Sequence, residues 1–94
     1  MDIRDLVWDP GNVAHIARHG VTVSEAEDVV YGVHVELQTY AGRSILIGAT
    51  SAGRMVAVIL EPTDPQGTYY VVTARSASRK ERRYYQSQTE GPST

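Results

Sequence analysis

A chain of 94 residues, 41% hydrophobic and 21% charged, is long enough for one packed domain and too short for two. It has no cysteine, which excludes disulfides, thiolate zinc sites and cysteine nucleophiles, and a net charge of -2 selects no partner by itself. No basic leader runs into an apolar segment and no apolar run approaches bilayer length, so the expectation is a cytoplasmic protein with no membrane contact.

Ile3 to Trp8 reads as a short first strand. Asp9-Pro10 then opens a helix: Asp accepts from otherwise unpaired amides, and Pro at the first helical position has no amide to lose. Val13, Ile16 and Ala17 follow helical spacing and predict a narrow buried stripe, and Gly20 ends the helix. Thr22 and Glu25 form a capping box for a second helix whose inner face is Val23, Ala26, Val29 and Val30, with Val21 stapled onto Ala26 and Gly32 as the stop. From Val33 to Tyr40 apolar and polar residues alternate, the period of a half-buried strand. Ala41-Gly42 and Ser51-Ala52-Gly53 turn the chain into two further strands, Arg43 to Thr50 and Arg54 to Glu61. After a Pro62 to Gly67 loop, Thr68 to Ala74 is the last strand. Short turns between neighbours favour an antiparallel meander. Ser78 and Glu81 cap a third helix running to about Gln88.

The predicted fold is therefore α+β, in the order β-α-α-β-β-β-β-α: a four-to-five-stranded, mainly antiparallel sheet with two N-terminal helices and a C-terminal helix. One domain is expected over residues 1–88, with 89–94 a polar, disordered tail.

Charge is unevenly spread. Glu25, Glu27, Asp28 and Glu36 make residues 22–36 acidic, whereas Arg75, Arg79, Lys80, Arg82 and Arg83, opposed by Glu81 alone, make residues 75–85 basic. The basic stretch lies where a strand delivers Arg75 to a helix N-terminus, a place that favours anions. Arginine grips a phosphate in a planar fork and stays charged throughout. Glu81 and Tyr85 share a helical face, and a carboxylate and a phenol beside a bound phosphate are usable for proton transfer. Against this stands the plainer expectation of a solvated basic helix, with Glu81 as a capping residue and Tyr84 or Tyr85 packed on the sheet.

His15 and His19 lie four residues apart, a spacing that suits two metal ligands. No third ligand is evident, so neither a resident metal nor any other cofactor is assigned. His19, in the last turn of its helix, reads either as a partner for the final carbonyls or as an acid or base near neutral pH.

Two stretches carry a resemblance. Trp8-Asp9-Pro10, Arg18-His19-Gly20-Val21 and Ser24-Glu25-Ala26, followed in register by Thr73-Ala74-Arg75-Ser76-Ala77-Ser78-Arg79-Lys80-Glu81-Arg82-Arg83-Tyr84-Tyr85, resemble the opening and closing motifs of BrnT-like toxins over roughly residues 4 to 86. Gly48 and Arg54 also stand where that family's sheet has comparable residues. The resemblance implies a RelE-like fold and a ribonuclease toxin of a type II toxin-antitoxin system. Such a toxin cuts RNA without metal, by attack of the 2′-hydroxyl on the adjacent phosphate. It implies a ribbon-helix-helix antitoxin as partner, with DNA engaged only through the complex. On this reading Arg75 and Arg79 clamp the phosphate with Arg82 assisting, and His19 and Glu81 are the acid/base candidates. Tyr85 orients or stacks on the RNA, and Arg18, Lys80 and Arg83 bind its backbone. Three departures are visible. Asn12 stands near a family lysine, Arg18 replaces the lysine before His-Gly, and the Trp-to-His interval is one residue short. The alternatives are a catalytically silent RNA- or protein-binding module of the same fold, and a dimer in which the acidic second helix meets the basic third.

Overall fold

In the computed structural model, which describes residues 1–39 and 41–90, every helix starts at a reciprocal cap. Asp9 and Asn12 cap α1 (Pro10–Arg18), Thr22 and Glu25 cap α2 (Val23–Tyr31), and Ser78 and Glu81 cap α3 (Arg79–Thr89). In each, the first side chain accepts the amide of the third helical residue, and that residue's side chain accepts the cap amide. Two N-terminal donors are thereby satisfied locally. The boxes of α2 and α3 are the predicted ones; in that of α1, the partner of Asp9 is an asparagine. Position 40 and residues 91–94 of the predicted 89–94 tail lie outside the described residues, while Thr89 is still helical.

Five strands form one sheet in the order β1-β5-β4-β3-β2. They are β1 (Asp5–Val7), β2 (His34–Gln38), β3 (Ser44–Ala49), β4 (Met55–Thr63) and β5 (Thr68–Ser76). Strands β2 to β5 form the predicted antiparallel meander, and β1 adds itself parallel to β5. β1 is shorter than the predicted Ile3 to Trp8.

The sheet is covered on both faces. Leu46, Val56, Val58, Leu60, Val71 and Ala74 meet Ile16 of α1 and Ala26, Val29 and Val30 of α2 on one side. On the other, Ile47 and Ala57 meet Ala77, and Val35, Leu37, Ile45 and Met55, with Tyr84 and Tyr85 of α3, pack against that cluster. Leu46 and Ile47 are successive, point to opposite faces and are both fully buried, as expected of a central strand between two layers. Burial of such aliphatic side chains, at about 1.5–3 kcal/mol each, is the main force holding the layers together. No helix of the described residues is long and apolar enough to cross a membrane.

Two expectations about the core need correction. In α1 the buried residues are Asn12 and Ile16, while Val13 and Ala17 face solvent. Asn12 turns inward because its amide has work there: Nδ2 donates to Val7 O (2.9 Å) and Val71 O (3.1 Å), and Oδ1 accepts the Asp9 amide (2.8 Å). Val33, expected to start the inner row of β2, precedes the strand and is 71% exposed.

Gly48 shows how closely α2 is seated. A Cβ there would lie 2.8 Å from Val33 O and 3.3 Å from Val29 Cγ1. Backbone cannot yield as a side-chain tip can, so Gly48→Ala is expected to cost about 1–3 kcal/mol. That corresponds to a drop of several degrees or more in Tm for a chain of this length. An unchanged Tm would show that the Val33 carbonyl moves aside freely.

Candidate active site at the junction of β5 and α3

A β-bulge sets the geometry. Ile59 faces Thr73 while Leu60 faces Val71, leaving Val72 as an extra residue in β5. Simple alternation from Val71, which faces α1 and α2, would put Arg75 on that same side. The inserted residue reverses the phase, so Ala74 joins the α1/α2 core and Arg75, opposite Ala57, emerges on the α3 side.

There Arg75 meets Glu81 in a two-pronged ion pair, Nη1 to Oε1 at 2.7 Å and Nη2 to Oε2 at 3.0 Å. Glu81 Oε1 also accepts the Ser78 amide at 2.8 Å, so the capping carboxylate and the arginine's partner are one group. The Glu81 side chain is 12% exposed and that of Arg75 39%. The hydrogen bonds from Arg75 hold the Glu81 carboxyl below the usual carboxylate range, overcoming the opposing effect of burial, and the Ser78 amide adds to the shift. Arg75 in turn is held more firmly charged by Glu81. A guanidinium has five N–H donors, so Arg75 keeps donors for a ligand after engaging Glu81.

Arg79, Lys80, Arg82 and Arg83 are all exposed on the first turns of α3, with Arg82 Nη1 3.4 Å from Ala77 O. Tyr84 and Tyr85 are both half-buried against the second core cluster. Beside them a groove of about 370 Å³ is lined by Leu37, Ser78, Lys80, Glu81 and Tyr84.

His19 belongs to the other layer. It is the C-cap of α1 and exposed, as is Arg18, and its ring stands 5.3 Å from that of His15. No hydrogen bond among the described residues joins it directly to Arg75, Arg79, Glu81, Arg82 or Tyr85. The link is Arg54, which had no role in the sequence-based site. Its Nη1 donates to Gly20 O at 2.6 Å and lies 3.4 Å from Glu25 Oε2, and its Nη2 donates to Ser76 Oγ at 2.9 Å. One guanidinium thus ties the turn after His19, the start of α2 and the end of β5 together. Gly20, at φ 73°, adopts the left-handed conformation that lets the chain turn there. The Glu25 carboxyl is held low chiefly by the Thr22 amide, against an opposing effect of burial, with Arg54 adding to the lowering. An arginine just after a turn carries no local mark of such a role; it becomes legible only when β4 is set beside β5 and under α1.

The Glu81 pair makes a pH prediction. A carboxylate whose folded-state pKa is depressed adds stability above its unfolded pKa, and that stability is lost as pH falls through the folded value. After allowance for solvent screening of the half-exposed guanidinium, the pair is worth about 1 kcal/mol at neutral pH. The parent is therefore expected to exceed Glu81→Gln in urea midpoint at pH 7, and the gap to close as pH drops below the ordinary carboxylate range. A gap independent of pH would contradict the assignment.

No protein-family model matches this sequence, and no curated protein matches it. Among solved structures it is similar to the crystal structure of the Brucella abortus ribonuclease toxin BrnT, with a TM-score of 0.62 and 28% identity over 80% of this chain and 97% of that one. With the element order and mixed sheet in agreement, this chain is built on the BrnT-like toxin fold.

Proposed function

We propose that this chain is a ribonuclease toxin that cleaves RNA without metal, acts in the cytoplasm and is neutralised by a ribbon-helix-helix antitoxin, through which alone it reaches DNA. The observation that carries the reading is the Arg75–Glu81 pair. It sets a charged fork at the mouth of a basic helix, in a fold shared with a ribonuclease toxin.

In this reading the RNA backbone lies along the end of the sheet. Arg75 and Arg79 hold the phosphate, Arg82 assists, and Arg18, Lys80 and Arg83 hold the flanking backbone. The 2′-hydroxyl oxygen attacks the adjacent phosphorus and the P–O5′ bond breaks. The hydroxyl proton passes to a base, and the departing 5′ oxygen takes a proton from an acid. The products are a 2′,3′-cyclic phosphate and a 5′-hydroxyl. The guanidinium groups meet the charge that builds on the phosphoryl oxygens. Of the two acid/base candidates, His19 moves both protons in this account, taking the one from the 2′-hydroxyl and giving one to the departing 5′ oxygen. Glu81, held ionised beside Arg75, orients that arginine. Tyr85, half-buried, positions the RNA more readily than it stacks on a base.

A second reading, a catalytically silent RNA-binding module, draws on Asn12, which is buried near the position of a family lysine. Incubation of the purified protein with total RNA in EDTA separates the two. Cleavage leaving 5′-hydroxyl ends is expected. Intact RNA from a folded sample, with binding that weakens steeply with salt, would favour the silent module.

A further inference from the structure

The chain has three histidines, and they differ in what they are free to do. His34 is committed: its Nδ1 lies 3.1 Å from both Val29 O and Gly32 O, and donates to these carbonyls. His15 and His19 make no ring hydrogen bond among the described residues. They project from the same side of α1, His15 half-buried and His19 exposed, with ring centroids 5.3 Å apart and planes at 71°.

That separation has a chemical meaning. Two imidazoles bound to one tetrahedral ion through bonds of 2.0–2.1 Å have ring centroids roughly 5.2 Å apart. Their ring planes can then take various mutual angles, because each ring turns about its own metal–nitrogen bond. The pair is therefore already at chelating distance. Neighbours one helical turn apart reach it with little rearrangement.

We propose that His15 and His19 form an exchangeable two-histidine site for a borderline divalent ion of the zinc type, and that an ion bound there inhibits RNA cleavage by occupying His19. The second half rests on the reading of His19 as the proton-transfer group; the first does not. Among the described residues no group of three or more histidine, cysteine or carboxylate side chains could hold a metal. Water must fill the remaining positions, so the site is reversible rather than structural. Imidazole ligands select zinc, nickel and copper over magnesium and calcium, which prefer oxygen donors.

The test is calorimetric titration of the full chain with zinc chloride. One ion per chain is expected in the parent, and magnesium chloride should give no comparable uptake. Affinity should fall at least about tenfold in His15→Ala and in His19→Ala, which is about 1.4 kcal/mol, and stay unchanged in His34→Gln. Parent-like affinity in His15→Ala would overturn the site. In the RNA assay zinc should stop the parent, EDTA should restore it, and His15→Ala should cleave normally and resist zinc. Equal zinc inhibition of parent and His15→Ala would overturn the regulatory half. If the parent cleaves no RNA at all, the ribonuclease reading fails, and with it the inhibitory role, while the titration still decides the site.

Discussion

Arg75→Ala is expected to reduce RNA cleavage by about 100-fold or more while leaving a folded protein. The magnitude is that of removing one preorganised donor from a site where charge develops on a phosphoryl group. The substitution acts twice. It takes away the fork that meets the phosphate, and it leaves Glu81, 12% exposed, with only the Ser78 amide to satisfy it. The second effect costs about 1–2 kcal/mol of stability, so melting curves must accompany the kinetics. Two comparisons separate the effects. Glu81→Gln disturbs the same pair but keeps the guanidinium, and should lose much less activity than Arg75→Ala. Arg75→Lys keeps the charge but not the planar fork, and should fall between. If folded Arg75→Ala cleaved as fast as the parent, the phosphate would have to be held elsewhere.

The second large effect concerns Asn12. A lysine stands near this position in the BrnT-like pattern, which invites the idea that Asn12→Lys would strengthen catalysis. The expected result is the opposite: a loss of about 3–5 kcal/mol and no gain in cleavage. Asn12 is 2% exposed and binds Val7 O, Val71 O and the Asp9 amide at once, joining β1, β5 and the first turn of α1. A lysine there must bury an ammonium or push its longer chain out through packed structure, and the Asp9 amide loses its acceptor. Asn12→Ala removes the same three bonds without adding charge and should cost about 2–3 kcal/mol. Urea unfolding of both variants checks this. A stable and faster Asn12→Lys would mean that α1 can rotate to present position 12 to solvent.

Asn12 also shows where sequence reading stops. Apolar spacing chose Val13, Ile16 and Ala17 for the inner face of α1, and only Ile16 is buried. Hydrophobicity ranks an amide last for burial, yet here β1 and β5 each offer it a carbonyl acceptor that no local pattern announces. The caps at Thr22 and Ser78 were legible because each is a contact within four residues. The meander was legible because its turns are short and its strands alternate.

The site was legible in part. Arg75 and Glu81 both stand out in the sequence, as a clamp and as an acid/base candidate, but not as partners. Their pairing depends on the bulge at Val72, and a single inserted residue in β5 cannot be seen without the register of β4. The bridging role of Arg54 is hidden for a similar reason, since its partners Gly20, Glu25 and Ser76 come from three separate parts of the chain. The separation of His19 from the α3 residues was equally hidden. It follows from the two helical layers lying on opposite faces of the sheet.

In the proposed function RNA is held at the end of the sheet where β5 runs into α3. The most direct test is an NMR titration of the folded protein with a short RNA carrying 2′-deoxy sugars, which binds but cannot be cut. Amide and guanidinium shifts are expected at Arg75, Ser78, Arg79 and Arg82, together with His19 and Gly20 across the Arg54 bridge. Shifts confined to the opposite end, around Arg4 and Gly67, with the β5–α3 junction silent, would contradict that placement of the RNA.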